Sequence, residues 1–202
     1  MDGGLGAVAA RAHHRGMAAA QPDPSDETLM RRYAAGEAAA FAPLYARHKD
    51  GVWRYLLRGS QNEASTAELF QEVWASVVKS RASYQPTARF ATWLYRLAHN
   101  RLVDHWRAAK PHDELDEAAQ ELAGHACETP AARAVQSEQG NRLLAALAGL
   151  APEQREAFLL QAEGGLSLED IATTQGVGRE TVKSRLRYAL VKLRKELADV
   201  WP

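Results

Sequence analysis

The feature that most constrains the fold is the stretch at residues 166–188, near the carboxyl end of the chain. Ser167 is a favoured N-cap residue, and Asp170 stands three positions later, where a capping box places its second side chain. Gly176 can adopt the left-handed backbone that ends a helix. A second helix is predicted to begin near Arg179. Two helices joined by so tight a turn predict a helix-turn-helix, the motif that places its second helix in a DNA major groove.

The second of these helices is apolar on one side and basic on the others. Its predicted buried stripe recurs at helical spacing and comprises Val182, Leu186, Ala189, Leu190 and Leu193. Between Arg179 and Lys195 there are seven Lys or Arg residues and one acidic residue, Glu180. A basic face alone is often only solvated surface. Together with the cap, the glycine turn and the stripe, it favours DNA binding.

Composition limits the class of protein. The 202 residues fit one or two domains and carry a net charge of zero. No apolar run approaches the roughly 20 residues needed to span a membrane. Cys127 is the only cysteine, which predicts neither a disulfide framework nor a cysteine-rich zinc site and favours a cytoplasmic location. Residues 1–24 lack the apolar core of a secretory signal and predict a disordered extension, with Met1 or Met17 as the start.

The zero net charge conceals an uneven distribution. Residues 25–110 carry 13 basic and 8 acidic side chains, residues 111–138 carry 1 and 7, and residues 139–202 carry 9 and 8. We therefore predict two basic bodies joined by an acidic linker, since a nucleic-acid binder needs positive charge in the right place rather than a high overall pI. Fully extended, this linker would reach roughly 90 Å, at about 3.3 Å per residue.

The predicted fold class is all-α, because no strand pattern of useful length is present. Apolar periodicity predicts helices over residues 26–35, 38–57, 65–79, 89–108, 139–149 and 152–163, followed by the two helices of the helix-turn-helix. Residues 80–88 are predicted to form a loop. Pro111 is predicted to end the fourth helix, and residues 111–138 are rich in alanine and acidic side chains, which is typical of a flexible linker.

Two separated stretches carry a resemblance to a known family. The first comprises AELFQEVW at residues 67–74 and TWLYRLAHNRLVDHWR at residues 92–107. The second comprises LAPEQREAF at residues 150–158, GLSLEDIA at residues 165–172 and TVKSRL at residues 181–186. In this order they resemble the extracytoplasmic-function class of bacterial RNA polymerase sigma factors. The chain departs from that class where Arg187-Tyr-Ala-Leu190 replaces a frequent Arg-Ala-Arg run, and where Gly178 replaces a serine cap.

The resemblance implies a function for each body. Residues 25–110 would bind the clamp helices of core RNA polymerase and open the promoter at its minus-ten element. Residues 139–202 would read the minus-thirty-five element as duplex, and the short linker would replace the extra domain of larger sigma factors. An anti-sigma protein is a further expected partner, since such proteins commonly mask the polymerase-binding surfaces of this class.

Candidate DNA-binding residues fall into two sets. For the minus-thirty-five element they are Arg155, Arg179, Lys183, Ser184, Arg185, Arg187 and Tyr188. An arginine can bond bidentately to a guanine edge, whereas phosphate contacts add affinity without sequence preference. For the minus-ten element the candidates are Tyr84, Gln85, Arg96, Asn100 and Arg101, because unpaired bases bind where aromatic rings stack and cations follow the backbone. Trp93 is expected in the core.

Polymerase binding is assigned to Glu68, Gln71 and Glu72, with Leu69 and Val73 facing the core. The seven histidines show no metal-ligand spacing, and no catalytic triad, phosphate loop or dinucleotide motif is present, so we expect no metal, no cofactor and no catalytic activity. Two alternatives stay open. One is a helix-turn-helix regulator that does not bind core polymerase; the other is a helical adaptor whose basic faces bind acidic proteins.

Overall fold

The computed structural model describes residues 23–108 and 138–198. These residues form helices and connecting turns without a strand, as the all-α prediction requires. The N-terminal domain contains α1 (Asp26–Ala34), α2 (Phe41–Ser60), α3 (Glu63–Ser80) and α4 (Phe90–Ala108), and the C-terminal domain contains α5 (Glu138–Ala148), α6 (Pro152–Ala162), α7 (Leu168–Gln175) and α8 (Arg179–Glu196). The predicted extension up to residue 22 and residues 111–137 of the predicted linker, with Cys127, lie outside the described residues. The last residue of the predicted linker, Glu138, is the first residue of α5.

Polar caps fix where the first helices begin and end. The Ser25 hydroxyl accepts a hydrogen bond from the Thr28 amide at 3.2 Å and starts α1. The Asn62 side chain accepts one from the Ser65 amide at 2.9 Å and starts α3. Gln61, between α2 and α3, has φ of 58°, the left-handed conformation that terminates a helix. A short 3-10 turn at Ala38–Ala40 precedes α2, and another at Arg81–Ser83 follows α3.

The start of α4 is capped by a side chain from another helix. Glu27 on α1 accepts a hydrogen bond from the amide of Phe90, the first residue of α4, at 2.8 Å. This bond lowers the pKa of Glu27, because the bond favours the ionised carboxylate at a helix N-terminus. It also fixes α1 against the end of the loop that precedes α4.

The core of the N-terminal domain lies between α2, α3 and α4, with α1 packed on α2. Its fully buried side chains include Leu44, Val52, Leu56, Val73, Val77, Phe90, Leu94 and Leu102. Gly59 lets α2 and α4 approach closely, since a Cβ there would collide with the side chain of Leu102. The predicted inward position of Leu69 and Val73 is confirmed.

In the C-terminal domain α8 packs against α6, α7 and α5. Val182, Leu186, Ala189 and Leu193 are buried, as predicted for the apolar stripe. The prediction was wrong for Leu190, which is 39% exposed. Leu190 lies one residue beyond the buried line and borders an open groove with Leu168, Leu186 and Val191.

The two domains touch each other directly. Helix α2 contacts α5 and α6, and α4 contacts α7, so the buried side chains of both domains form one continuous cluster. No helix in the described parts of the chain is long and apolar enough to cross a membrane.

Candidate nucleic-acid interface

The helix-turn-helix predicted from the sequence is present in α7 and α8. The Ser167 hydroxyl accepts a hydrogen bond from the Asp170 amide at 3.1 Å, and the Asp170 carboxylate accepts one from the Ser167 amide at 3.2 Å, which completes a capping box. Gly176 ends α7 with φ of 66°, the left-handed conformation that glycine adopts at little cost. Gly178 then caps α8 with extended backbone and no side-chain bond.

The capping box also sets the charge state of Asp170. Burial raises the pKa of this carboxyl, but hydrogen bonds from the Ser167 hydroxyl at 2.7 Å and from its amide outweigh that effect and leave the pKa lowered. Asp170 therefore stays ionised at the N-terminus of α7, where the helix dipole also favours a negative charge.

Helix α8 presents a basic face to solvent. The side chains of Arg179 and Lys183 are 55% and 64% exposed, and Tyr188 is 56% exposed. Arg179 lies 2.6 Å from Glu169, and Lys183 lies 3.6 Å from Glu180. The guanidinium of Arg187 lies 5.2 Å from the ring centroid of Tyr188. These exposed ion pairs are weak, so the cations remain available to exchange a carboxylate for a phosphate.

Arg185 and Ser184 are half-buried on the same helix. The guanidinium of Arg185 donates to the Gln175 side-chain oxygen at 2.9 Å, and the Gln175 amide nitrogen donates to Glu156 at 2.9 Å. Arg185 is therefore oriented by α7, whereas the exposed cations Lys183 and Arg187 are not held in this way. A held arginine is better suited to recognising a base edge, because less side-chain freedom is lost on binding.

The Arg155 side chain makes hydrogen bonds within its own domain. Its guanidinium donates to the carbonyl of Ala148, the last residue of α5, at 3.2 Å and to that of Leu150 at 3.3 Å. Arg155 is half-buried, and burial lowers its pKa. The structure thus places this predicted phosphate contact at a helix end, where a cation is favoured and free carbonyls accept hydrogen bonds.

In the N-terminal domain, Tyr84 joins an aromatic cluster beside the loop. Its ring centroid lies 5.1 Å from that of Trp93 and 6.4 Å from that of Phe90. Tyr84 is half-buried, its hydroxyl has no partner within the described residues, and burial raises its pKa. Trp93 is partly buried and packs on the core, in line with its expected position.

The polar candidates for the minus-ten element are on the surface. Gln85, Arg96, Asn100 and Arg101 are all exposed, Gln85 in the loop and the others on α4. Arg101 donates to the Ser76 hydroxyl at 3.2 Å, and its Nε lies 3.8 Å from a Glu72 carboxylate oxygen. The structure therefore brings Arg101 beside α3, next to a residue assigned to polymerase binding.

The residues assigned to polymerase binding share one exposed face of α3. Glu68, Gln71 and Glu72 are exposed, while Leu69 and Val73 on the same helix are buried. Within the described residues no group of three or more His, Cys, Asp or Glu side chains is arranged to hold a metal ion.

Sequence reasoning missed a set of charged residues between the domains. Glu156 and Glu163 on the C-terminal side meet Arg54, Arg58 and His99 on the N-terminal side. No local signal marks these residues, because their partners are 57 to 109 positions away in the chain.

Comparisons with known proteins agree with this architecture. Residues 44–112 match Sigma-70 region 2, and residues 140–193 match Sigma-70 region 4. The chain is 32% identical over 174 residues to the RNA polymerase sigma factor CarQ of Myxococcus xanthus, covering 85% of this chain and 97% of CarQ. It is 32% identical over 169 residues to the ECF RNA polymerase sigma factor SigL of Mycobacterium tuberculosis, covering 83% and 94% of the two chains.

Solved structures share the fold. CnrH, determined in complex with the cytosolic domain of CnrY, superposes with a TM-score of 0.65 at 22% identity and covers 88% of this chain and 100% of its own. The sigma factor RpoE from Bartonella quintana, determined with the anti-sigma factor NepR, gives 0.62 at 20% identity, with 80% and 98% covered. The chain belongs to the extracytoplasmic-function class of RNA polymerase sigma factors and is an alternative sigma factor that directs the initiation of transcription.

Proposed function

We propose that the two domains divide promoter recognition between them. The N-terminal domain binds core polymerase through α3 and opens the minus-ten element through α4 and the loop before it. The C-terminal domain reads the minus-thirty-five element as duplex. The observation that carries the proposal is the exposed basic face of α8, which follows a capped α7 in a helix-turn-helix.

Within α8, we assign roles to the side chains according to their contacts and exposure. Arg185, fixed by Gln175, is the base-reading side chain, and Ser184 lies beside it. Lys183 and Arg187 are exposed and would contact phosphates, which contribute affinity and salt dependence. Arg179 would also bind a phosphate, in place of its ion pair with Glu169. Tyr188 adds an aromatic surface against the guanidinium of Arg187. Arg155 supports the domain from the end of α5.

The minus-ten element meets a surface of a different kind. Unpaired bases stack on aromatic rings, and each such contact contributes about 1–3 kcal/mol. Tyr84 and Gln85 would receive a base, while Arg96, Asn100 and Arg101 follow the strand along α4. Such energies help to hold open one or two base pairs, so the polymerase must supply the remainder of strand separation.

Glu68, Gln71 and Glu72 form the polymerase-binding face, because they are exposed on a helix whose opposite side is buried. We further infer that the chemistry of transcription belongs to the polymerase, and that the chain acts in the cytoplasm and carries no catalytic activity of its own. An anti-sigma protein is a proposed partner. This proposal is supported by the fold that the chain shares with RpoE, determined with the anti-sigma factor NepR, and with CnrH, determined with the cytosolic domain of CnrY.

The test is reconstituted transcription with core polymerase on a promoter library in which the two elements are randomised independently. The wild-type chain is expected to select one sequence at each element. Arg185→Ala should change the selection at the minus-thirty-five element alone, and Asn100→Ala should change it at the minus-ten element alone. Altered selection at both elements by either variant would contradict the division of roles.

A further inference from the structure

Arg185 differs from other cations of α8 in the group that it contacts. The exposed side chains of Arg179 and Lys183 each lie within ion-pair distance of a carboxylate. Arg185 is half-buried, and its Nη1 donates to the neutral side-chain oxygen of Gln175 at 2.9 Å. Among the residues that the structure describes, Arg185 forms no ion pair. A neutral amide therefore orients this guanidinium without compensating its charge.

The amide of Gln175 is held on its other side by two acceptors. Gln175 is the last residue of α7, and its Nε2 donates to Oε2 of Glu156 at 2.9 Å and to the backbone carbonyl of Glu153 at 3.4 Å. An ionised carboxylate only accepts hydrogen bonds, and a guanidinium only donates them. The amide therefore satisfies both neighbours in one orientation alone, with its nitrogen toward α6 and its oxygen toward α8.

Glu156 is placed to impose that orientation. It lies on α6, and only 7% of its surface is exposed, so close packing restricts the position of its carboxylate. The two oxygens have different partners: Oε1 accepts from the Tyr55 hydroxyl at 3.4 Å and contacts Nδ1 of His99, whereas Oε2 accepts from Gln175. Because the bond from Gln175 has an oxygen of its own, it does not require the two donors of the N-terminal domain.

The bond to Gln175 leaves most of the Arg185 donors free. A guanidinium carries five N–H donors, and this bond uses one of them. The others are available for the paired contact with N7 and O6 of guanine, which is the commonest specific contact of an arginine in the major groove. A long side chain that is already ordered loses less conformational freedom when it binds. The arrangement therefore favours a contact with one defined base.

We propose that Glu156 is a positioning residue for base recognition, which acts through Gln175 to direct the Arg185 guanidinium toward guanine at one base pair of the minus-thirty-five element. The proposal rests on the promoter assignment given above. It makes a buried residue that touches no base a determinant of sequence preference. Without the acceptor at Glu156, the Gln175 amide can turn over and present its nitrogen, a donor, to Arg185.

The proposal is tested with the full chain by competition binding to minus-thirty-five duplexes changed at one base pair at a time. Glu156→Leu should reduce the preference for guanine at one base pair by about two- to tenfold, the factor expected when one long side chain is no longer ordered before binding. Gln175→Leu should reduce it at the same base pair by a similar factor. Binding to an unrelated duplex and its dependence on salt should stay unchanged, because no phosphate contact is lost.

Two conservative variants separate the bond with Gln175 from the other contacts of Glu156. Glu156→Gln retains an oxygen that can accept from Gln175, so it should keep most of the wild-type preference. Tyr55→Phe removes a donor to Oε1 and leaves Oε2 unchanged, so it should keep the full preference. If Glu156→Gln loses as much preference as Glu156→Leu, or if Tyr55→Phe loses it as well, the bond from Gln175 is not the cause and the proposal fails.

A double-mutant cycle links the effect to Arg185. In an Arg185→Ala background, Glu156→Leu should cause no further loss of preference, because the side chain that it positions is absent. A residue with a merely structural role would reduce binding by the same factor in both backgrounds, and that additive result would overturn the proposal. Circular dichroism and thermal unfolding show whether each variant is folded. Gln175→Leu, at the half-buried end of α7, provides the same cycle if Glu156→Leu does not fold.

A measurement without DNA distinguishes this inference from the proposed function. The NMR order parameter of the Arg185 side chain should be lower in Glu156→Leu and in Gln175→Leu than in the wild-type chain. An unchanged order parameter in both variants would refute the positioning role. If the wild-type chain shows no preference among minus-thirty-five duplexes, the promoter assignment fails and this inference fails with it, although the order parameters still show whether Glu156 orients Arg185.

Discussion

Arg185 in α8 donates a hydrogen bond to the side-chain oxygen of Gln175 at 2.9 Å, and Gln175 in turn donates to Glu156. This relationship orients one cation of α8 through α7, whereas the exposed Arg179 and Lys183 pair with Glu169 and Glu180. It also places Gln175 between α8 and the carboxylate that meets the N-terminal domain.

Arg185→Ala should reduce discrimination between promoter sequences by roughly 1–3 kcal/mol, because a bidentate contact to one base would be lost. Gln175→Leu should produce a smaller loss at the same base pair, since Arg185 remains but is no longer oriented. Competition binding on duplexes changed at single positions measures both effects. Different base pairs affected by the two variants would contradict the positioning role of Gln175.

Lys183→Ala is the contrasting variant in the same helix. It should weaken binding to all duplexes about equally and reduce the slope of log K against log salt by roughly 1, because one phosphate contact is removed. Titrations at several salt concentrations provide the measurement. A sequence-dependent loss would show that Lys183 also reads a base.

Glu72→Lys should reduce capture by core polymerase several-fold without loss of helical circular dichroism, since Glu72 is exposed on α3 and supports no core contact. The reversal also places a positive charge near Arg101, which now lies 3.8 Å from the carboxylate. Asp104→Lys, an exposed reversal on α4, is the matched control and should preserve capture. Normal capture of the Glu72 variant would remove this face from the proposed interface.

Combining Asn100→Ala with Gln85→Ala should abolish open-complex formation while preserving duplex binding by the C-terminal domain. Both side chains are exposed, so the fold should tolerate their loss. Permanganate footprinting of unpaired thymines on a target promoter measures the bubble. If a normal bubble forms in the double variant, strand separation depends on other residues.

Glu27→Ala should destabilise the protein by about 1 kcal/mol at neutral pH, because the amide of Phe90 at the start of α4 loses its acceptor. The hydrogen bond lowers the folded-state pKa of Glu27, so its contribution is complete above the unfolded value of about 4.3 and is lost as pH falls through the lower folded value. Thermal unfolding at neutral and acid pH should show the difference from wild type shrinking in acid. Glu27→Gln, which keeps an acceptor but does not titrate, should remove that pH dependence.

Most of the secondary structure could be predicted because its causes are local. The Ser167–Asp170 capping box and the turn at Gly176 are separated by only a few positions from the helices that they define. The alternation of Leu69 and Val73 with Gln71 and Glu72 identified the buried and exposed sides of α3 in the same way. The error at Leu190 arose because helical spacing gives the direction of a side chain but not how far the neighbouring helices cover it.

The sequence by itself determined the helices, the helix-turn-helix and the two basic bodies, because each depends on residues close together in the chain. Only the tertiary structure decided which cations are held and which carboxylates are buried. Arg54 and Glu163 are 109 positions apart, and either alone is an ordinary surface charge in the sequence. Their pairing depends on the packing of α2 against α6. The sequence near each residue carries no periodicity or motif that predicts which two helices will pack together.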